Sequence, residues 1–288
     1  MQKSKMAIVC ALLLLVVGLA LLKVYADAAR LSALVGFSRA GKTADFVKNP
    51  GISCVESYFY FEEGLKDDVI FGVDQEFIEG SKAPIYVKGG DWMAFVGLQR
   101  TGTVWVARGT EATMSGKPSQ TRKWEILNLG SALRPRTWYC LRCRANFGTR
   151  HFVDMQVEGP GLNKTIDLSR YTLDYPNFMP FDGAAMTYYV HAMRGRSMMK
   201  EEGKPIIYFD DLRGLLASKG ESRLTEVFYN DCESQPKVLK QPVSAPPIKL
   251  ENYKDGLLYF ERDEAKADFI ESPFAHSGRR LARLDAGL

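Results

Sequence analysis

Short runs of aromatic and β-branched residues fill the middle of the chain, and they constrain the fold more than any other feature. From about Pro50 to about Leu212 these runs recur, with Gly, Pro, Asp or Asn clusters between most of them. Several alternate by two, as in WYCLRCRANF, and no helical pattern of ten or more residues interrupts the series. The sequence therefore predicts an all-β protein, an antiparallel β-sandwich or barrel of roughly ten strands.

The N-terminus has a different character. Two lysines in MQKSK precede an unbroken apolar run, MAIVCALLLLVVGLALL, from Met6 to Leu22. As a helix this run spans about 25 Å, a little less than a hydrocarbon core. Small-residue cleavage patterns follow in Val24 to Ala28, so a cleaved signal peptide and a single-pass anchor both stay open, with the anchor slightly favoured. Either way we expect the chain to be exported to the cell envelope, with the membrane as a partner.

Composition shifts along the chain predict five parts. QPKVLKQPVSAPP, Gln235 to Pro247, has four prolines in thirteen residues and is typical of an extended linker. Beyond it, the sequence has too little apolar surface for a core of its own. We expect an anchor or signal peptide, a juxtamembrane connector, a β-sandwich domain, a mixed segment with the Pro-rich linker, and an irregular, partly disordered tail, at 1–28, 29–48, 49–214, 215–247 and 248–288.

One motif points to a different chemistry. GFSRAGKT, Gly36 to Thr43, matches the phosphate-loop pattern G-x-x-x-x-G-K-[ST]. Such a loop needs a strand before it and a sustained helix after it, because backbone N–H groups at the helix N-terminus hold the phosphates. Here Pro50 follows Thr43 after only six residues, too few for that helix. We therefore expect no nucleotide. The net charge of +4 is dispersed, and we expect no nucleic acid either.

Four cysteines follow the N-terminal segment: Cys54, Cys140, Cys143 and Cys232. An even number in an exported chain permits disulfides, whose connectivity cannot be read from sequence. Cys140 and Cys143 form a C-x-x-C motif, but within a predicted strand residues three apart face opposite ways. The two thiols are therefore poorly placed to share a metal.

Three segments resemble a known fold type. KWEILNLGSALRPRTWYCLRCRANF, Lys123 to Phe147, is similar to the middle of a galactose-binding-domain-like jelly roll, the fold of many carbohydrate-binding modules. NPGISCVE, Asn49 to Glu56, resembles its opening, and KPIIYFDDL, Lys204 to Leu212, resembles its closing strand. Together they frame about 160 residues. The resemblance implies a jelly-roll sandwich that binds carbohydrate, with an N-terminal hydrophobic helix ahead of it.

In such modules a structural Ca²⁺ often ties the opening segment to the closing strand. The resemblance therefore implies that Asp210 or Asp211, with Glu56, supplies oxygen ligands, and only one aspartate should face a given site because adjacent strand residues alternate. Solvated acids at a strand end are the alternative.

Exposed aromatic faces would bind sugar rings. Trp105, between Arg100 and Arg108, and Trp124 are the candidate platforms, and core packing is the alternative for each tryptophan. The long loop Leu173 to Tyr189 is a second candidate surface.

Catalytic patterns are sparse. The adjacent acid pairs, such as Glu62–Glu63, fit turns or solvated edges, and no E-x-D-x-E pattern is present. No G-x-S-x-G elbow accompanies the three histidines. We therefore expect a non-catalytic module that binds carbohydrate at the cell envelope. An envelope assembly protein that binds a protein partner is one alternative. A polysaccharide-active hydrolase or lyase is the other, and two acids about 5 to 9 Å apart in a cleft would favour it.

Overall fold

The computed structural model describes residues 30–38, 41–79, 91–114, 123–175, 181–182, 184–194, 205–234, 237–239, 248–249, 256–262 and 266–286. β-strands account for most of the regular structure in these residues. Two short helices are α1 (Lys42–Lys48) and α2 (Glu111–Met114). The strands are β1 (Arg30–Ser38), β2 (Ile52–Tyr60), β3 (Ile70–Ile78), β4 (Asp91–Leu98), β5 (Thr103–Arg108), β6 (Lys123–Asn128), β7 (Tyr139–Asn146), β8 (His151–Gly159), β9 (Leu162–Asp167), β10 (Phe181–Asp182), β11 (Ala185–Arg194), β12 (Ile206–Ala217), β13 (Thr225–Asn230), β14 (Lys237–Leu239), β15 (Ile248–Lys249), β16 (Gly256–Arg262), β17 (Lys266–Glu271) and β18 (Arg280–Asp285).

The strands form two large, mainly antiparallel sheets packed as a β-sandwich. The first sheet has the order β14-β16-β1-β11-β3-β4-β5-β6. The second has the order β17-β18-β12-β2-β7-β8-β9, with β13 paired to β12. The short strands β10 and β15 pair separately, in parallel. The predicted all-β class and antiparallel sandwich are therefore confirmed at this level.

One apolar core lies between the two sheets. The first sheet contributes the inward residues of β3, Phe71, Val73 and Phe77, and the second contributes inward residues of β2 such as Val55 and Phe59. This period of two follows from the pleat, because successive side chains of a strand point to opposite faces. The side chains between these inward residues point to the outer face of each sheet, and the outer face of the first sheet carries the site described below.

The N-terminal segment and the C-terminal tail differ from the sequence expectation. Residues 29–48, predicted as a connector, contain β1, which lies inside the first sheet between β16 and β11, and α1. The tail contains β16 in the first sheet, and β17 and β18 in the second. Neighbouring strands satisfy the backbone of these segments, so they need no core of their own.

The phosphate-loop segment is divided between β1 and α1. Gly36 and Ser38 belong to β1, whose partners are both antiparallel, and the following helix has seven residues. The lysine of the pattern, Lys42, forms an ion pair with Glu221. The hydroxyls of Thr43 and Ser38 lie 2.8 Å apart and share a hydrogen bond. The two side chains that would bind phosphate and magnesium in a phosphate loop, Lys42 and Thr43, are thus each engaged with another side chain of the protein.

The four cysteines are buried free thiols. Cys143 points into the core between the sheets, and Cys140 is buried outside that core cluster. Burial raises the pKa of the Cys140 thiol to about 12, so this thiol stays protonated at neutral pH. Within the part of the chain that the structure describes, no helix is long and apolar enough to cross a membrane. Met6 to Leu22 lies outside the described residues.

Candidate active site

Polar side chains converge on the outer face of the first sheet, at its centre. Strand β3 turns Val73, Gln75 and Phe77 inward, so Asp74 and Glu76 point to the opposite face. The neighbouring strand β11 pairs antiparallel with β3, placing Tyr189 beside Asp74 and Thr187 beside Glu76. The hydrogen bonds described below join Glu76 to both of these β11 side chains.

Asp74 and Glu76 form a pair of acids on one strand. Because they are two residues apart, their Cα atoms lie about 6.6 Å apart along β3 and their side chains share a face. Asp74 is 5% exposed and Glu76 is 9% exposed, so both acids are withdrawn from bulk water. Two neighbouring carboxyl groups that are shielded from water commonly serve as general acid and general base in enzymes.

Two hydroxyl groups of β11 hold the Glu76 carboxylate. The Tyr189 hydroxyl donates a hydrogen bond to Oε2 of Glu76, and Oγ1 of Thr187 donates to the same oxygen at 3.3 Å. Burial, and next the negative charge of Glu76, raise the pKa of Tyr189 well above its ordinary value. The phenol therefore keeps its proton and acts as a donor. Hydrogen bonds of this kind favour the ionised form of the carboxyl group that accepts them.

His191 lies next to this pair. Its ring stacks on Phe95 with the centroids 3.9 Å apart, and Nε2 lies 3.2 Å from the carbonyl oxygen of Val96. A carbonyl can only accept, so Nε2 carries the proton of the neutral imidazole. Gly72 is the β3 partner of His191, and a Cβ there would come within 2.2 Å of the same Val96 oxygen. The close approach of β3 and β4 at this point requires a glycine.

Apolar and aromatic side chains extend the face toward β6. A small cluster of Ile70, Met93, Phe95, Ala107 and Met193 covers it, with Trp105 and Trp124 packed against it. The two tryptophan rings contact edge to face at 5.8 Å, and Trp124 meets Phe95 in the same way at 5.4 Å. An aromatic, partly exposed floor beside acids is suited to the apolar faces of a sugar ring.

The structure brings together two of the four residues predicted to bind a sugar. Trp105 and Trp124 lie on the same face as Asp74 and Glu76, and Nε1 of Trp105 donates to Gln99 at 3.0 Å. The arginines lie elsewhere. Arg100, in the turn after β4, pairs with Asp67 at 2.5 Å, and Arg108 pairs with Glu125 at 3.1 Å. Arg108 alternates to the other side of β5 from Trp105.

The loop predicted as a second surface, Leu173 to Tyr189, is only partly described. Its last residues begin β11 and supply Thr187 and Tyr189 to the site. The acids themselves were missed by sequence reasoning, which searched for adjacent acid pairs and for E-x-D-x-E. The signal was D-x-E in GVDQEF, a strand-like run in which Asp74 and Glu76 share a face.

The residues predicted to bind calcium lie on β2 and β12, in the second sheet. Oxygens of Asp210 accept backbone N–H groups of His276 at 2.9 Å and Ser277 at 3.0 Å. Asp211 accepts the hydroxyl of Tyr229 at 2.6 Å and lies 2.8 Å from Nδ1 of His276. Glu56 pairs with a guanidinium group, that of Arg142 on β7.

These contacts perturb the two aspartates in opposite directions. Burial raises the pKa of Asp210 to about 6. Burial also acts to raise the pKa of Asp211, but the hydrogen bonds from Tyr229, His276 and Ser277 outweigh it and lower that pKa. Among the described residues, no group of three or more His, Cys, Asp or Glu side chains is arranged to hold a metal ion. The carboxylate oxygens of Asp210 and Asp211 already accept hydrogen bonds from protein N–H and O–H groups, and these donors leave no place for a calcium ion beside them. The calcium site stays a prediction.

No protein-family model and no curated protein matches the sequence. Solved structures with a similar course of the chain include scytalido-glutamic peptidase with a peptide-based transition-state analog, at a TM-score of 0.37 and 7% identity, covering 89% of this chain and 98% of that one. An alginate lyase from Pseudomonas aeruginosa has a TM-score of 0.29 and 12% identity, covering 58% and 65%. A PL-14 alginate lyase from Aplysia kurodai has a TM-score of 0.28 and 10% identity, covering 50% and 70%.

These comparisons correct one expectation. The sequence predicted a non-catalytic carbohydrate-binding module. The comparisons contradict that prediction, because the similar structures are those of peptidases and polysaccharide lyases. At such low scores no catalytic residue can be carried over from them. The arrangement of this chain's own side chains must carry any functional argument.

Proposed function

We propose that the chain is a polysaccharide-active hydrolase whose acid pair is Asp74 and Glu76. One observation carries the proposal: the two acids occupy alternate positions of β3, so both point to one face, where Tyr189 and Thr187 bind Glu76. Glycoside hydrolysis needs two carboxyl groups, one to protonate the leaving oxygen and one to attack or to activate water. Their positions two residues apart on one strand direct both carboxyl groups to the same face, as such a pair requires.

The hydrogen bonds suggest which acid takes which role. Tyr189 and Thr187 donate to Glu76 and favour its ionised form, so Glu76 is the nucleophile or the base that activates water. Asp74 is then the proton donor to the glycosidic oxygen. The leaving sugar departs with that proton, and a water molecule supplies the hydroxyl of the new reducing end. Withdrawal of the site from bulk water strengthens each of these electrostatic interactions.

The character of the face favours a neutral glycan. Trp105 and Trp124 offer ring faces for stacking along a sugar chain that runs from β3 toward β6. The ionised Glu76 at the centre would repel a substrate carboxylate, which disfavours polymers of uronic acids. This charge argument supports hydrolysis of neutral sugars over elimination from uronates.

Several finer expectations accompany the proposal. Jelly-roll connectivity, the N-terminal hydrophobic helix, export and residence at the cell envelope remain proposals from the sequence. They fit an enzyme that meets polysaccharide outside the cytoplasm. The apolar run from Met6 to Leu22 supports the export proposal and leaves open cleavage or anchoring.

Product analysis tests the function. The full chain is incubated with a panel of neutral polysaccharides, uronate polymers and denatured protein, and reducing ends, unsaturated products and free peptides are measured. We expect new reducing ends from at least one neutral polysaccharide, with an oxygen from solvent water at the cleaved end. Unsaturated uronate products, peptide release without glycan cleavage, or no cleavage of any polymer would each contradict the proposal.

A further inference from the structure

The adjacent acids Asp210 and Asp211 face one loop rather than opposite sides of β12. The pairing of β12 with β2 shifts register between Asp210 and Arg213, which marks a β-bulge, and Asp211 has φ +52°. A bulge with one residue in the left-handed region re-aims the side chains around it. Both carboxylates therefore reach the loop that joins β17 to β18, Ser272 to Arg279. The alternation rule that allowed only one aspartate per site is broken here.

All four oxygens of these carboxylates accept protein donors. Asp210 accepts the backbone N–H of Asp211 at 2.9 Å on Oδ1, and those of His276 at 2.9 Å and Ser277 at 3.0 Å on Oδ2. Asp211 accepts the Tyr229 hydroxyl at 2.6 Å and the Ser277 hydroxyl at 2.9 Å on Oδ1. Its Oδ2 lies 2.8 Å from Nδ1 of His276. Because a carboxylate of this kind only accepts, each contact places a hydrogen toward the acids.

Aromatic packing fixes the same loop on the outer face of the second sheet. The His276 ring stacks on Tyr58 at 3.6 Å, and the Phe274 ring stacks on Tyr60 at 4.7 Å. Nε1 of Trp138 donates to the carbonyl oxygen of Phe274 at 2.9 Å. The loop is thus bound through side chains and backbone along its length, and its fit to the acids is not a single chance contact.

A calcium ion needs six to eight oxygen ligands at about 2.3–2.6 Å. Here the space around the carboxylates holds hydrogen-bond donors, which a cation would have to displace, and the third implied ligand, Glu56, is paired with Arg142. We propose that the loop from Ser272 to Arg279 fills the space that a calcium ion would need beside these two carboxylates. The protein then carries a metal-free clamp, in which Asp210 and Asp211 tie its C-terminal hairpin to β12.

The clamp is tested on the full chain in two ways. First, thermal unfolding of the wild type is measured with millimolar Ca²⁺ and with EDTA, and we expect the same midpoint in both. Second, amide hydrogen exchange is followed at His276 and Ser277 in Asp210→Ala. Loss of a charged acceptor should speed exchange at these two amides at least about tenfold, without changing exchange in β3.

Asp268→Ala is the matched control, because Asp268 is an exposed aspartate of the same hairpin. It should leave exchange at His276 and Ser277 unchanged. A midpoint raised several degrees by Ca²⁺, or stoichiometric Ca²⁺ binding by the wild type, would overturn the proposal. So would unchanged exchange at the two amides in Asp210→Ala. If that variant does not fold, the wild-type comparison of Ca²⁺ with EDTA still decides.

Discussion

Tyr189 is the residue that most directly shapes the proposed acid pair, because its hydroxyl binds Glu76 within a buried site. We predict that Tyr189→Phe lowers kcat about tenfold or more and changes KM little, since the ring stays and only the donor to Glu76 is lost. Steady-state kinetics on the substrate identified in the polysaccharide panel measures this effect.

Its neighbour Tyr188 provides the control. Tyr188 faces the core between the sheets, so Tyr188→Phe removes a hydroxyl from the same strand without touching the site. We expect near wild-type kcat for this variant. Equal losses in the two variants would contradict a specific role for the Tyr189 hydroxyl.

Asp210 makes stability depend on pH in a defined direction. Burial raises its pKa from 3.8 to about 6, so the folded protein binds a proton there more tightly than the unfolded chain does. This contribution is fully present below about pH 4 and is lost as pH rises through about 6. We predict that the free energy of unfolding rises by about 1–1.5 kcal/mol between pH 7 and pH 5. Urea unfolding of wild type and Asp210→Asn at both values measures it.

In Asp210→Asn the side chain stays neutral throughout, so this part of the pH dependence should disappear. Asp211 has the opposite effect. Its pKa is lowered in the folded protein, so the stability that it contributes is fully present above its ordinary pKa and is lost only as pH falls below that value. The window from pH 5 to pH 7 therefore isolates Asp210 from its neighbour. A variant that keeps the full wild-type slope would show that other groups cause it.

Strand β3 is the element on which the site depends, and it shows what sequence can reveal. The run DVIFGVDQEFI was recognisable as a strand, and its period of two places Asp74 and Glu76 on one face. The run that forms β11 was also recognisable as a strand, but its pairing with β3 was not, because the two strands lie more than a hundred residues apart in the chain. The bulge at Asp211 was equally hidden, since nothing local marks an aspartate in the left-handed region.

Gly72 sets the distance between β3 and β4 beneath His191. A Cβ at this position would lie 2.2 Å from the carbonyl oxygen of Val96, well inside contact distance. We predict that Gly72→Ala destabilises the protein by about 1–3 kcal/mol and disturbs the His191 ring, which contacts the same oxygen. Chemical unfolding and the His191 imidazole resonances measure the two effects. A variant with unchanged stability would contradict the close approach.

At the scale of the whole molecule, the C-terminal tail joins both sheets. Strand β16 pairs with β1 in the first sheet, and β18 pairs with β12 in the second. The sequence suggested a loose tail, because segments of six or seven residues have little apolar surface by themselves. Pairing with distant strands gives the tail its backbone hydrogen bonds and places it against the core. These long-range pairings cannot be read from the local sequence.

Removing residues 256–288 should therefore unfold more than the tail. The deletion exposes edges of β1 and β12 and removes the buried side chains of β17 and β18 from the core, including Phe269 and Leu284. We predict a loss of the cooperative unfolding transition, measured by circular dichroism during heating. A truncated chain with the wild-type midpoint would contradict the integration of the tail.

The central claim is that Asp74 and Glu76 perform acid–base chemistry on a glycan, and the most direct measurement is turnover by three single variants. Asp74→Asn and Glu76→Gln keep the size of each side chain and remove its charge. Glu62→Gln removes a carboxylate that pairs with Arg136 away from this face. The account predicts a kcat loss of at least about a hundredfold in the first two variants and near wild-type turnover in the third. Folded Asp74→Asn and Glu76→Gln proteins that cleave the polymer at the wild-type rate would contradict it.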